Sequence, residues 1–284
     1  MSAADNSPAT DEERPVAVVT GAGGGIGAAF TRLLADLGYG VVAWDRDEAS
    51  LTEVAGAAVE PYTADVSDAA AWDQLVANLR TGNRRVTLLV NNAGVLMAGR
   101  LAESDPAELR RLIEINLLGA MLGCRAMAPM LTPSVGSRPP LPVGVLNVAS
   151  IFASLTPPGF AAYNASKAGL VGLTETLRGE WRPLGLTATA VLPGVTRTGL
   201  FRDGRFTNAC LAATVVERGQ AGQLSPDLVA DLSLAAYSRR RAVAPIGKRA
   251  TLRHKLMGWA PGLVRRLVVR EANAVLVEAD KPPM

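Results

Sequence analysis

Six short runs of aliphatic and β-branched residues, at 16–20, 39–44, 59–63, 86–90, 143–149 and 186–192, recur along this chain, and most are followed by a longer stretch with helical spacing of its apolar residues. Nothing else in the sequence restricts the fold so strongly. Short apolar runs without polar alternation suit strands buried on both faces. Strands that alternate with helices return by crossovers, which makes the sheet parallel. The expected fold is therefore α/β, a Rossmann-like doubly wound parallel sheet, with residues 242–246 read as a last strand. Several runs stop on small or polar residues, Gly21, Asp45, Asn91 and Ser150, and such strand ends are where open α/β sheets bind ligands.

Composition narrows the function classes. With 49% apolar and 19% charged residues in 284, the chain has the make-up of a globular protein able to bury a full core. No linker divides it. A net charge of +3 and aromatics at 5% do not suggest a nucleic-acid partner. Two cysteines, Cys124 and Cys210, make no disulfide framework. His254 is the only histidine, so neither a serine–histidine–aspartate triad nor a histidine-rich metal site is expected. Residues 1–14 are small, polar and acidic and read as a disordered leader. With no apolar leader and no uninterrupted apolar run near twenty residues, a cytoplasmic, soluble protein is expected.

The first run leads into T-G-A-G-G-G-I-G, residues 20–27, and then into a helical pattern through Leu37. Gly21, Gly25 and Gly27 keep the spacing G-x-x-x-G-x-G, within which Gly23, Gly24 and Ile26 complete the turn. Glycines let the backbone approach a pyrophosphate, whose charge the helix N-terminus stabilises. Asp45, roughly twenty residues on, suits the ribose hydroxyls of NAD and repels the 2'-phosphate of NADP. Arg46 beside it could pair with that phosphate, so NADP stays as an alternative. Asp65 and Val66 end the third run, where they could hold adenine; alternatively Asp65 is a helix cap, although Ser67 can cap a helix over 68–79 alone. Asn92, Ala93 and Gly94 form a small-residue turn after the fourth run. Asn116 lies in the apolar stripe of the next helix, where a buried amide needs partners whether or not it has a chemical role.

Ser150 ends the fifth run, and Tyr163 and Lys167 follow in a helix expected over 161–182. Four residues apart, they share a helix face, so the ammonium can lie near the phenol and favour phenolate. A phenol of pKa roughly 10 needs such help to act as a base near neutrality. The sixth run passes into P-G-V-T-R-T at 193–198.

In this order, these marks resemble the short-chain dehydrogenase/reductase family. They are T-G-A-G-G-G-I-G, N-N-A-G at 91–94, Asn116, Ser150, Tyr163 with Lys167, and P-G-V-T-R-T, together covering residues 16–200. The resemblance implies that Tyr163 is the acid/base, Ser150 orients the carbonyl or hydroxyl, Lys167 binds the nicotinamide ribose and Asn116 holds a water relay. It also implies that Pro193, Gly194, Val195 and Thr198 lie at the nicotinamide, that residues 199–223 form a substrate lid, and that the protein is a homodimer or homotetramer. The expectation is an NAD-dependent oxidoreductase acting on a secondary alcohol or ketone of moderate size and apolar character. The alternatives are an NADPH-dependent ketoreductase and a non-catalytic nucleotide-sensing or membrane-attached protein.

The chain departs from the family pattern after the dehydrogenase region, 15–246, where a short tail ending in V-D-G-G is absent and residues 247–284 extend it. Within 248–271 stand seven Lys and Arg against one acid, Glu271, interleaved with Leu252, Leu256, Met257, Trp259, Leu263, Leu267 and Val268 around a break at Pro261 and Gly262. An amphipathic helix pair is expected. Packing on the domain or on a second subunit is the preferred reading, and contact with an anionic membrane the other.

Overall fold

The computed structural model describes residues 14–137 and 139–279. All but the last residue of the expected leader, and residues 280–284 of the extension, lie outside them. The strands are β1 (Val16–Thr20), β2 (Gly40–Asp45), β3 (Val59–Thr63), β4 (Val86–Asn91), β5 (Met97–Ala98), β6 (Gly144–Val148), β7 (Thr187–Pro193), β8 (Arg205–Phe206) and β9 (Val243–Ile246). The helices are α1 (Gly25–Asp36), α2 (Glu48–Thr52), α3 (Ala69–Thr81), α4 (Pro106–Ile113), α5 (Gly119–Leu131), α6 (Phe152–Leu155), α7 (Ala161–Trp181), α8 (Ala209–Gln220), α9 (Pro226–Ser238), α10 (Lys248–Trp259) and α11 (Pro261–Ala279). Seven strands make one parallel sheet in the order β3-β2-β1-β4-β6-β7-β9. This is the doubly wound α/β fold expected, and the strand order reverses between β1 and β4.

Side chains alternate across each strand and so feed two separate cores. Ala17, Val19, Val41, Ala43, Leu88 and Val90 point to one face, under Phe30 and Leu34 of α1 and Val229, Leu234 and Tyr237 of α9. Val16, Val18, Val42, Trp44 and Leu89 point to the other, under Trp72 and Leu75 of α3, Met127 of α5 and Leu177 of α7. Burial on both faces is why these runs carry no polar alternation. The stretch Pro106–Ser134 has the length and apolarity of a membrane-crossing helix. In this fold, however, Ala120, Cys124, Met127 and Leu131 are buried against the domain.

Local details differ from the sequence reading at a few points. Asp68, not Ser67, caps α3, accepting from the Ala70 N–H at 2.9 Å; Ser67 is taken up by Asp65. The helix carrying Asn116 is not uniformly α: residues Glu114–Leu118 form a π turn, in which the Gly119 N–H reaches back to the Glu114 carbonyl. Part of residues 199–223 is regular, because β8 pairs with β5 in a second, two-stranded sheet and α8 follows.

The extension is a helix pair as expected. Ala250 of α10 and Val264 and Val268 of α11 pack with Ile151 and Leu155. His254 Nδ1 lies 3.0 Å from Ser154 Oγ on α6. Further along α11, Val275 and Leu276 join an apolar cluster that includes Leu211 and Val215 of α8 and Tyr163 of α7.

Candidate active site

The loop between β1 and α1 is shaped by close backbone approach. A Cβ on Gly27 would stand 1.8 Å from the Gly21 carbonyl oxygen, and one on Gly21 2.9 Å from Ala93 Cα, so only glycine fits at either position. Nothing lies within 4 Å of where a Gly24 Cβ would be, and no side chain caps α1. The first amides of the helix are thus left facing an open space, the arrangement that suits a phosphate. The glycine loop and the uncapped start of α1 are suited to hold a dinucleotide's pyrophosphate.

The neighbouring strand ends are tied together around this loop. The Thr20 hydroxyl accepts from the backbone N–H groups of Asn92 and Ala93 at 3.0 and 3.1 Å, and Asn92 Nδ2 donates to the Thr20 and Gly21 carbonyls at 3.0 and 3.1 Å. Asp45 accepts from the Gly23 N–H at 3.0 Å and the Asp47 N–H at 3.1 Å, so its carboxylate is fixed at the rim of the glycine loop. Arg46 is exposed. Asp65 accepts from the Ser67 N–H and hydroxyl at 2.9 and 2.7 Å. Burial alone would raise its carboxyl, but these bonds and the charges of Arg111 and Arg46 outweigh that and hold it below the ordinary value. It is therefore the anchor of its own turn, while still lining the cleft beside Val66.

The cleft is a cavity of about 560 Å³. It runs from Gly21, Gly23, Gly24, Gly25 and Ile26 past Asp45, Arg46, Asp65 and Val66. It then passes Asn92, Ala93 and Gly94 to Ser150, Tyr163, Lys167, Pro193, Gly194, Val195 and Thr198. Two of the sequence-selected residues lie behind the wall. Gly27 packs under Gly21, and Asn116 grips Val95 from both sides, accepting from its N–H at 2.8 Å and donating to its carbonyl at 3.0 Å. Asn116 also donates to the Ser166 hydroxyl at 3.2 Å. Sequence reasoning missed Leu96, Ile151 and Phe152, which line the far end, while Leu200 and Phe201 there belong to the expected lid, 199–223. The only signals for the missed three were the adjacency of Ile151 and Phe152 to Ser150 and of Leu96 to the turn ending at Gly94.

At that far end the electrostatics differ from the sequence expectation. Tyr163 and Lys167 are both buried. The Lys167 Nζ lies 5.9 Å from the Tyr163 ring centroid and donates to the Val148 carbonyl at 3.0 Å. Burial pushes the phenol up to about 12, offset only in part by a hydrogen bond with Ser150, and it pushes the ammonium down to about 8. Desolvation dominates at both groups, so the chain by itself holds a protonated phenol.

A deep cleft over the reversed strand order, with a glycine loop at one end and a serine, a buried tyrosine and a lysine at the other, defines a dinucleotide-dependent dehydrogenase type of site. The short chain dehydrogenase family profile matches residues 15–208, and the chain belongs to that family. It is 29% identical over 248 residues to the probable oxidoreductase EphD of Mycobacterium tuberculosis, a match covering 82% of this chain but 41% of that protein. The chain thus spans about two fifths of that relative's length. Galactitol 2-dehydrogenase of Rhizobium johnstonii is 35% identical over 192 residues, 64% of this chain and 71% of the relative. Among solved structures, a short chain dehydrogenase/reductase from Burkholderia phymatum in complex with NAD superposes with a TM-score of 0.77 at 30% identity, covering 88% of this chain and 96% of that one. Other similar structures hold NADPH or NADP.

Proposed function

We propose that this chain is an NAD-dependent oxidoreductase that interconverts a secondary alcohol and a ketone of moderate size and apolar character, working in the cytoplasm. The observation that carries the reading is the Tyr163 phenol, bonded to Ser150 and beside Lys167, at the closed end of a cleft that begins in the glycine loop. Bound nicotinamide would accept or supply the hydride. Gly23, Gly24, Gly25 and the start of α1 hold its pyrophosphate, and Asp45 accepts from the adenosine ribose hydroxyls. Arg46 acts on Asp65, and Asp45 repels a 2'-phosphate, which favours NAD.

In reduction, Ser150 Oγ donates a hydrogen bond to the substrate carbonyl and Tyr163 Oη delivers the proton to the alkoxide as it forms. In oxidation, the same oxygen must first lose its proton; Lys167 is the positive charge the chain provides for this, and it also faces the ribose. Asn116 keeps Val95 and Gly94 in place at the wall. Leu96, Ile151, Phe152 and Leu200 make the substrate end apolar, which selects against polyhydroxylated substrates and keeps water away. A screen of NADH and NADPH fluorescence across alcohols and ketones tests the activity and cofactor choice together. Tyr163→Phe is expected to lower kcat by more than about tenfold, over ~1.4 kcal/mol of barrier, with cofactor affinity unchanged. Retention of more than a tenth of kcat would remove Tyr163 from the proton-transfer role.

A further inference from the structure

The helix pair α10–α11 turns one face to the domain and leaves the other uncovered. Inward go Ala250, Val264, Val268 and Val275. On the opposite side Trp259 is 91% exposed, with Leu263 at 61%, Leu252 at 59% and Leu267 at 51%. Along α10 the sequence Lys248, Leu252, Lys255, Leu256, Trp259 follows one helical stripe, and on α11 Leu263, Arg266, Leu267 and Arg270 do the same. Soluble surfaces rarely gather large side chains this way.

The charges around this apolar stripe are predominantly positive, with Glu271 the one acid among residues 248–271. Arg253 is held by Glu271 at 3.1 Å, whereas Lys248, Arg249, Lys255, Arg265, Arg266 and Arg270 are exposed, and residues 248–270 contain no acid. Since the whole chain carries only +3, the positive charge is gathered on this face and the remainder is net negative. A second copy related by a twofold axis would set this patch against itself, cation on cation. A surface that is negative and apolar just beneath its charges complements it.

We propose that α10 and α11 dock this protein on an anionic lipid bilayer, with Trp259, Leu256 and Leu263 entering the interface and the six cations lying among the headgroups. This rests on the exposed face alone and is independent of the chemistry assigned to the cleft. The same extension sends Val275 and Leu276 into the apolar cluster that holds Tyr163, so docking would bring the substrate end of the cleft near the membrane.

Co-sedimentation of the full chain with vesicles tests this, using phosphatidylcholine alone and phosphatidylcholine mixed with phosphatidylglycerol, at low and high salt. Binding is expected only to the mixed vesicles and is expected to fall steeply with salt. Each arginine removed in Arg265→Gln, Arg266→Gln or Arg270→Gln should weaken it by about fivefold. Trp44, Trp72 and Trp181 are buried, so a blue shift of emission on adding mixed vesicles, lost in Trp259→Phe, would report entry of that side chain. Absence of binding to mixed vesicles at low salt overturns the proposal. So does binding that Leu256→Ser with Trp259→Ser leaves unchanged, or a dimer by sedimentation equilibrium that this double variant dissociates while vesicles are not bound.

Discussion

Tyr163 and Lys167 carry opposite displacements with one cause, and stability should register both. Lys167 titrates near 8 when folded against 10.5 when unfolded, so between those values the unfolded chain binds more protons and stability rises with pH, by at most ~1.4 kcal/mol per pH unit for one proton. Cys124, raised from 9.0 to about 12, and Tyr163, raised from 10.0 to about 12, act the other way, each lowering stability once pH passes its unfolded value. Denaturant unfolding of wild type and Lys167→Met across pH 7 to 10.5 isolates the lysine, because the other groups cancel in the difference. Wild type is expected to gain on the variant as pH rises from about 8, and a flat difference would show that the ammonium is not held down. The chemical residues were legible because their types and order are unusual together. Their protonation was not, since helical spacing brings phenol and ammonium onto one face but does not say how dry that face is. The cap of α3 was misread for a related reason: Ser67 and Asp68 are both good caps, and the choice was made by Asp65, which engages Ser67.

Between elements, the buried polar chain from β4 through β6 to α7 shows what aligns the strand ends. Asn91 Nδ2 donates to Asn147 Oδ1 and Asn147 Nδ2 to the Thr174 hydroxyl, both at 2.8 Å. Asn147→Ala would leave Asn91 Nδ2 only its longer bonds, at 3.4 Å, to the Ala120 carbonyl and Cys124 Sγ, and would take the donor from the buried Thr174 hydroxyl. It is expected to lower unfolding free energy by about 1–3 kcal/mol. Because Asn91 adjoins the turn that carries Asn92 and Gly94, cofactor affinity should fall too; chemical denaturation and fluorescence titration would measure the two. The strands of the main sheet and helices α1, α3 and α7 were read nearly to the residue, since burial on two faces or one writes itself into periodicity, whereas α9 was not read and α8 was only part of a lid. Elements of two residues were not. β5 and β8 are too short to show a pattern, and the π turn at Glu114–Leu118 hides inside apolar spacing that any helix would share. What sets it apart is the grip of Asn116 on Val95, a contact twenty-one residues distant.

Across the molecule, the extension supports the substrate end from behind, an arrangement the sequence suggested only as an amphipathic pair, because its inward contacts lie on α6 and α8. Val268→Ala with Val275→Ala removes two buried valines almost two turns apart, and is expected to cost about 2–4 kcal/mol of stability. Turnover of bulky ketones should fall while cofactor affinity holds, which calorimetry and steady-state kinetics would separate. The strand order has a consequence of another kind, for how the chain comes off the ribosome. β1 lies inside the sheet, yet the partner on one side, β4, is seventy residues away in sequence. Loop length of this size adds little to the free energy of the finished fold but slows its closure. Synthesis delivers β1 and β2 early, and the open edge of β1 then waits for residues 86–91, an unpaired apolar strand able to template aggregation. A nascent chain halted after β3 is thus expected to expose the unpaired edge of β1 until residues 86–91 emerge.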